Sequence, residues 1–79
     1  MITIKEAVDH ILKTGITKYR IAQILEVQPI VVSNYHYEKV KTPKESVCIK
    51  LYKQYNLVVF PYNEEMLKNI IESEVKNGI

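Results

Sequence analysis

Residues 28–39, QPIVVSNYHYEK, gather side chains suited to recognition rather than to bond making. Gln28 and Asn34 each carry an amide that offers hydrogen-bond donors and an acceptor, and Ser33 and Tyr37 add hydroxyls. Ile30 and Val31 set apolar groups among them. At helical spacing Val32 and Tyr35 share one side, and Ile30, Val31, Asn34 and Tyr37 share the other. A helix in a small protein keeps one side polar, so the second apolar side calls for a partner. Catalysis needs a nucleophile, a base or a metal gathered in a cleft. This chain has no nucleophile elbow, no phosphate-binding loop and no metal-spaced cluster. Its two histidines, His10 and His36, and single cysteine, Cys48, do not make a metal site. Glu64 and Glu65 are explained as a helix start. The expectation is a protein that is not an enzyme and uses no cofactor or metal.

The elements that must position these groups are short helices. Thr3-Ile4-Lys5-Glu6 reads as a capping box, in which the Thr3 hydroxyl and the Glu6 side chain satisfy each other's backbone amides. Ile4, Ala7, Val8, Ile11 and Leu12 follow at 3–4 spacing, and Gly15 ends that helix in the left-handed conformation. Thr17 caps a second helix, Lys18 to about Leu25, with Ile21, Ala22, Ile24 and Leu25 facing inward. Pro29 opens a third helix, about 29–38, because the first turn needs no amide. Thr42-Pro43-Lys44-Glu45 combines a Thr cap, Pro at the first position and Glu at the third. It predicts a fourth helix to Tyr55, with Val47, Cys48, Leu51, Tyr52 and Tyr55 available for burial and Asn56 as terminator. LVVF, residues 57–60, lies between Asn56 and Pro61 and reads as a short extended segment. Asn63 then caps a fifth helix with the stripe Leu67, Ile70, Ile71 and Val75, and Gly78 follows its end.

The fold expected is therefore all-α: a compact four- to five-helix unit with an extended segment at 57–60 and a C-terminal helix. Seventy-nine residues make one domain, 1–79, near the lower limit for a core without staples. The core spans 3–60 and the extension 61–79. A lone cysteine excludes an intrachain disulfide and fits a reducing compartment. The N-terminus does not read as a signal peptide, and no stretch approaches 18 apolar residues, so no membrane partner is expected. Net charge is +2, unevenly spread. Residues 1–55 carry nine Lys/Arg and five Asp/Glu, a balance of +4; residues 56–79 carry two Lys and four Glu, a balance of −2. A basic body suits a polyanion, and also a normally solvated surface.

Within residues 18–37 one helix ends at Leu25, about three residues turn, and another begins at Pro29. Ala22 sits where two steeply crossing helices come close, and Ile21, Leu25, Val27, Val32 and Tyr35 would pack the junction. KYRIAQILEVQPIVVSNYHYEK, residues 18–39, resembles the helix-turn-helix of the phage Cro and lambda-repressor-like regulators. The flanks extend the resemblance over about residues 3–60, with TPKESVCIKLYKQYNL as the fourth helix. One departure is Glu26, which stands where that family usually has a turn glycine. The resemblance implies a sequence-specific transcriptional regulator of the Cro/repressor type, whose third helix enters the major groove of double-stranded DNA. Gln28, Ile30, Val31 and Asn34 would then read base edges, the amides on adenine and the apolar groups on thymine methyls. Thr17, Lys18, Ser33, Tyr37, Lys39, Lys41 and Lys44 would contact phosphates. It also implies a cytoplasmic location in a bacterial host, or association with its nucleoid.

Other readings of the same residues stand beside this one. Tyr35 and Cys48 read as core, His36 as a surface histidine, and Lys50 and Lys53 as solvated. The apolar side of the third helix, Ile30, Val31 and Tyr37, also suits a protein partner, as in a phage-type inhibitor or adaptor of a host protein. The stripe after residue 61 either caps its own domain or pairs two copies. A homodimer through Leu57, Val59, Leu67, Ile70, Ile71 and Val75 is the expectation.

Overall fold

A computed structural model describes the backbone of residues 1–77 and the side chains of residues 1–74. It contains five helices: α1 (Ile4–Lys13), α2 (Lys18–Leu25), α3 (Pro29–His36), α4 (Glu45–Tyr55) and α5 (Glu64–Asn77). Helix α3 packs on both α1 and α2, α4 packs on α2, and α5 packs on α4. No strand occurs among the described residues; Ile2 and Val59 form an isolated parallel bridge. The Ile2 amide donates to the Val58 carbonyl at 3.0 Å, and the Phe60 amide donates to the Ile2 carbonyl at 2.7 Å. That bridge seats the extended 57–60 segment beside the start of α1.

The helix starts follow their caps. The Glu6 amide donates to Thr3 Oγ1 at 3.1 Å, and the Thr3 amide donates to Glu6 Oε1 at 3.0 Å, completing the capping box. The Arg20 amide donates to Thr17 Oγ1 at 3.1 Å, and the Met66 amide to Asn63 Oδ1 at 2.8 Å. Gly15 (φ 96°) and Asn56 (φ 55°) are left-handed at the ends of α1 and α4. Gly78 lies outside the described residues.

The start of α4 differs from the sequence expectation. The helix begins at Glu45, with Lys44 as its N-cap and no side-chain cap, so Thr42 is not the cap and Pro43 lies outside the helix. Pro43 is buried. Its packing holds the chain extended for two residues longer than the local pattern suggested.

The core combines residues of every helix. Ile4, Val8, Ile11, Ile21, Leu25, Val32, Val47, Leu51, Val59 and Leu67 are all within 1% of complete burial. Tyr35 and Cys48 join them, as expected, and so does Ile49, which the fourth-helix pattern had not marked. Ala22 is buried at the α2–α3 junction, where its small side chain permits close approach. Ile24 was expected to face inward, but it is only half-buried and stands apart from the core cluster. Each fully buried Leu, Ile or Val contributes about 1.5–3 kcal/mol relative to exposure.

The dimer stripe is corrected by the same cluster. Val59 and Leu67 are completely buried within one protomer, and Leu57, Ile70 and Ile71 pack partly buried against its core. Val59 and Leu67 have no surface to give a second copy, whereas Leu57, Ile70 and Ile71 keep part of theirs. An edge-to-edge pairing of the 57–60 segment meets a further obstacle, because its Val58 carbonyl and Phe60 amide are already engaged by Ile2. Val75 lies outside the described side chains. Leu67 also makes α5 part of the core rather than an extension added to it.

Candidate nucleic-acid interface

Helix α3 is covered on the side of Val32 and Tyr35 by α1 and α2. Opposite that side lie Ile30, Ser33, Asn34 and Tyr37, at positions i, i+3, i+4 and i+7, which form one strip on a helix surface. Ile30 is 58% and Tyr37 64% exposed; Ser33 and Asn34 are half-buried. Gln28 is exposed at the N-cap, and its side chain makes no capping bond, so both ends of its amide are open. Val31 was expected on this strip. It sits about a quarter-turn away, half-buried against the core, because α3 is flanked by two helices and its outer strip is narrow. It is removed from the base-edge candidates.

Tyr37 is fixed by its neighbours. Lys18 Nζ of α2 lies 4.3 Å from its ring centroid, a cation–π geometry, and the His36 ring stacks on it at 4.8 Å. His36 Nε2 in turn lies 3.2 Å from Asp9 Oδ1 of α1. Asp9 Oδ2 receives a bond from Lys5 Nζ at 2.6 Å, and this bond holds the Asp9 carboxyl below the usual range. The chain Lys5–Asp9–His36–Tyr37–Lys18 thus ties α1, α3 and α2 beside the exposed strip. His36 Nδ1 is buried without a partner. With these contacts made, Tyr37 remains 64% exposed.

Behind the strip, burial pushes the Tyr35 phenol up, partly offset by a hydrogen bond from the Lys44 backbone. Burial also pushes the Cys48 thiol up to about 11, so it behaves as a small apolar group.

The charges divide the molecule. Among the described residues, Lys5, Lys50, Lys53 and Lys68 each have a carboxylate within 3.2 Å, namely Asp9, Glu26, Glu74 and Glu64. Lys13, Lys18, Arg20, Lys39, Lys41 and Lys44 have no ion pair among the described residues. All six fall between residues 13 and 44, where they face two acids, Glu26 and Glu38, for a balance of +4. Glu26 is already paired with Lys50.

The residues expected at phosphates are placed as follows. Thr17 is exposed at the start of α2, its oxygen accepting from the Arg20 amide and its hydroxyl proton free to donate. Lys39 and Lys44 are exposed on the connection from α3 to α4. Lys41 is exposed on the same connection but lines a separate cleft with Val40 and Phe60. Ser33 lies on the strip itself. Sequence reasoning missed Tyr19, 64% exposed in the first turn of α2, and Arg20 beside it, whose guanidinium reaches Gln23 Oε1 at 3.2 Å. Their position just after the Thr17 cap was the available signal. It missed the Asp9–His36 link as well, which joins residues 27 apart in sequence and left no local trace.

Among the described residues no group of His, Cys, Asp and Glu is arranged to hold a metal ion, and no helix is long and apolar enough to cross a membrane. Comparison of the chain with protein-family models, curated proteins and solved structures gave no match.

Proposed function

We propose that this protein is a sequence-specific DNA-binding regulator of the Cro and lambda-repressor-like kind, with α3 entering the major groove. The observation that carries the reading is that all six unpaired described cations fall between residues 13 and 44, with Lys18 of α2 set over Tyr37 at the end of the exposed α3 strip. An open group of cations beside an exposed helix strip supports a polyanion partner. Gln28 and Asn34 read base edges, Ile30 packs on a thymine methyl, and Ser33 and Tyr37 donate to phosphates. Lys18, Arg20, Lys39 and Lys44 hold the backbone on either side, with Thr17 at the N-terminus of α2. The protein carries out no reaction in this reading. Its likeness to that family rests on residues 18–39 and their flanks.

The deciding experiment is selection of bound oligonucleotides from a random duplex pool, followed by titration of the winner across salt. Enrichment of one sequence and a clearly negative slope of log affinity against log salt are expected. A flat salt response on every duplex overturns the reading. One observation favours a second reading, a protein-binding module on the same fold: Ile30 and Tyr37 expose apolar surface on the strip itself. Failure to enrich any duplex would favour it.

A further inference from the structure

The contacts beside the α3 strip contain one group whose charge is not settled by its bonds. His36 is half-buried in the last turn of α3, and its Nε2 faces Asp9 Oδ1 of α1 at 3.2 Å. Nε2 carries a proton in either charge state, donating to that carboxylate. Nδ1 is buried and has neither a donor nor an acceptor against it among the described residues. A donor there would fix the ring as neutral, and an acceptor would fix it as imidazolium. With neither, the surrounding charges decide. From α1 these are Asp9, with Lys5 bonded to it at 2.6 Å and Lys13 in range of it. From α2 comes Lys18, across the Tyr37 ring, and after α3 comes Glu38, which faces Lys5. Asp9 is the acid that bonds the ring, and Lys5 already shares it.

We propose that His36 is a pH-responsive positioning residue of the α3 strip, and that duplex binding draws a proton onto it. The route is short. The His36 and Tyr37 rings stack at 4.8 Å between centroids, 24° apart, and Lys18 Nζ stands 4.3 Å from the Tyr37 centroid. The proposal rests on the DNA-binding reading, in which Lys18 and Tyr37 contact phosphates. A phosphate seated at Tyr37 brings negative charge next to His36 and draws Lys18 away from the ring they share. Both changes favour imidazolium: an anion arrives, and a competing cation leaves the Tyr37 ring. The proton comes from solvent and goes to Nδ1. Coupling between two binding events is reciprocal, so a lower pH must tighten duplex binding. The other histidine, His10, is exposed on α1 and lines a different cleft with Ile2 and Leu57.

The test is the affinity of the full chain for the selected duplex at about pH 6 and about pH 8, the span over which histidine changes charge, with salt held constant. Wild type should bind at least about fivefold tighter at the lower pH. Calorimetry in two buffers of unlike ionisation heat should show net proton uptake on binding. His36→Gln keeps a donor for Asp9 and carries no titratable charge. It should lose most of the pH dependence and of the proton uptake, whereas His10→Gln should keep both. Circular dichroism checks the folding of each variant, and the uptake read on wild type and His10→Gln stands even where His36→Gln does not fold. Without DNA, the Tyr37 ring resonances in nuclear magnetic resonance spectra should follow His36 through its titration and ignore that of His10. A duplex bound equally at both pH values, with no proton uptake, overturns the proposal and leaves the DNA reading standing. So does a His36→Gln protein that binds more weakly by the same factor at both pH values, or a Tyr37 ring indifferent to His36. No duplex bound at either pH overturns the DNA reading, and this proposal with it.

Discussion

Lys50, Lys53 and Lys68, the described lysines of α4 and α5, each sit within 3.2 Å of a carboxylate, while Lys18 and Arg20 of α2 and Lys39, Lys41 and Lys44 beyond α3 have none among the described residues. The apolar groups divide in the same way. The stripe of α5 turns inward, with Leu67 fully buried and Ile70 and Ile71 against the core, whereas Ile30 and Tyr37 of α3 stay more than half exposed. Both helices look over-supplied with apolar residues in sequence. In α5 the surplus completes the protomer; in α3 it remains after the protomer is complete. An apolar helix face therefore says nothing about partners until its packing is known, and the face left over is the one worth testing.

The largest test of that contrast is a pair of truncations. Leu67→Ala removes a completely buried side chain and should cost about 2–5 kcal/mol. Ile30→Ala removes an exposed one and should change stability by less than about 0.5 kcal/mol. Urea denaturation followed by circular dichroism measures both. Similar costs for the two would break the comparison, because the Ile30 face of α3 would then be part of the core as well.

A second test lies on the open side. Asn34→Ala and Gln28→Ala should each lose about 1–3 kcal/mol on the selected duplex and little on random DNA. Lys39→Ala and Lys44→Ala should weaken both duplexes alike and lower the salt slope by about 1 each. Lys53→Ala, on the closed side and paired with Glu74, should change neither. Competition binding at two salt concentrations separates the three classes. A loss for Lys53→Ala as large as that for Lys39→Ala would erase the division of charge.

Local chemistry wrote much of this fold into the sequence. The Thr3 capping box, the Thr17 and Asn63 caps, the left-handed Gly15 and Asn56 and the buried Val32 and Tyr35 all depend on neighbours within a turn or two, and each was readable from spacing. The misses depend on tertiary packing. Pro43 looked like a helix start until its burial drew it out of α4. Val31 and Ile30 are adjacent in sequence, and only the presence of α1 and α2 on both flanks of α3 makes one half-buried and the other free. The destination of the α5 stripe was open because a stripe looks the same whether its cover is the same chain or another. For the candidate site, the residue types of the strip were legible, but the pairing of the cations was not, since Lys50–Glu26 and Lys53–Glu74 link residues more than 20 apart.

Acid should act mainly on α1 and α5. The Thr3 amide and hydroxyl hold the Glu6 carboxyl below its usual range, the Lys5 bond does so for Asp9, and the Lys68 bond for Glu64. A depressed carboxylate stabilises the fold above its unfolded pKa, about 4, and this contribution is lost as pH falls through the folded value. Thermal unfolding between pH 7 and pH 3 should therefore show falling stability below about pH 4.5, and Glu6→Gln should flatten part of that fall while lowering stability at pH 7. A Glu6→Gln protein with the wild-type pH profile would remove the capping box from the account.

The smallest effect concerns Glu26, where the two halves touch. It occupies the turn between α2 and α3 at φ 57° and holds Lys50 of α4 at 3.2 Å. Its side chain is mostly exposed, so this pair adds little to stability. Glu26→Gly relieves the left-handed strain, worth about 1 kcal/mol, but adds backbone entropy to the unfolded chain worth about 0.5–1 kcal/mol. The net change in stability should lie within about 0.5 kcal/mol. Glu26→Gln keeps the side chain and removes the charge. It frees Lys50 to join the unpaired cations and takes one of two acids from the basic region. Affinity for any duplex should then rise, by about two- to fivefold at low salt, with a steeper salt slope and unchanged sequence preference. A rise confined to the selected sequence would mean that Glu26 takes part in readout. No rise at all would place Lys50 and the turn outside the reach of the phosphates and narrow the interface to the strip, the start of α2 and the Lys39–Lys44 connection.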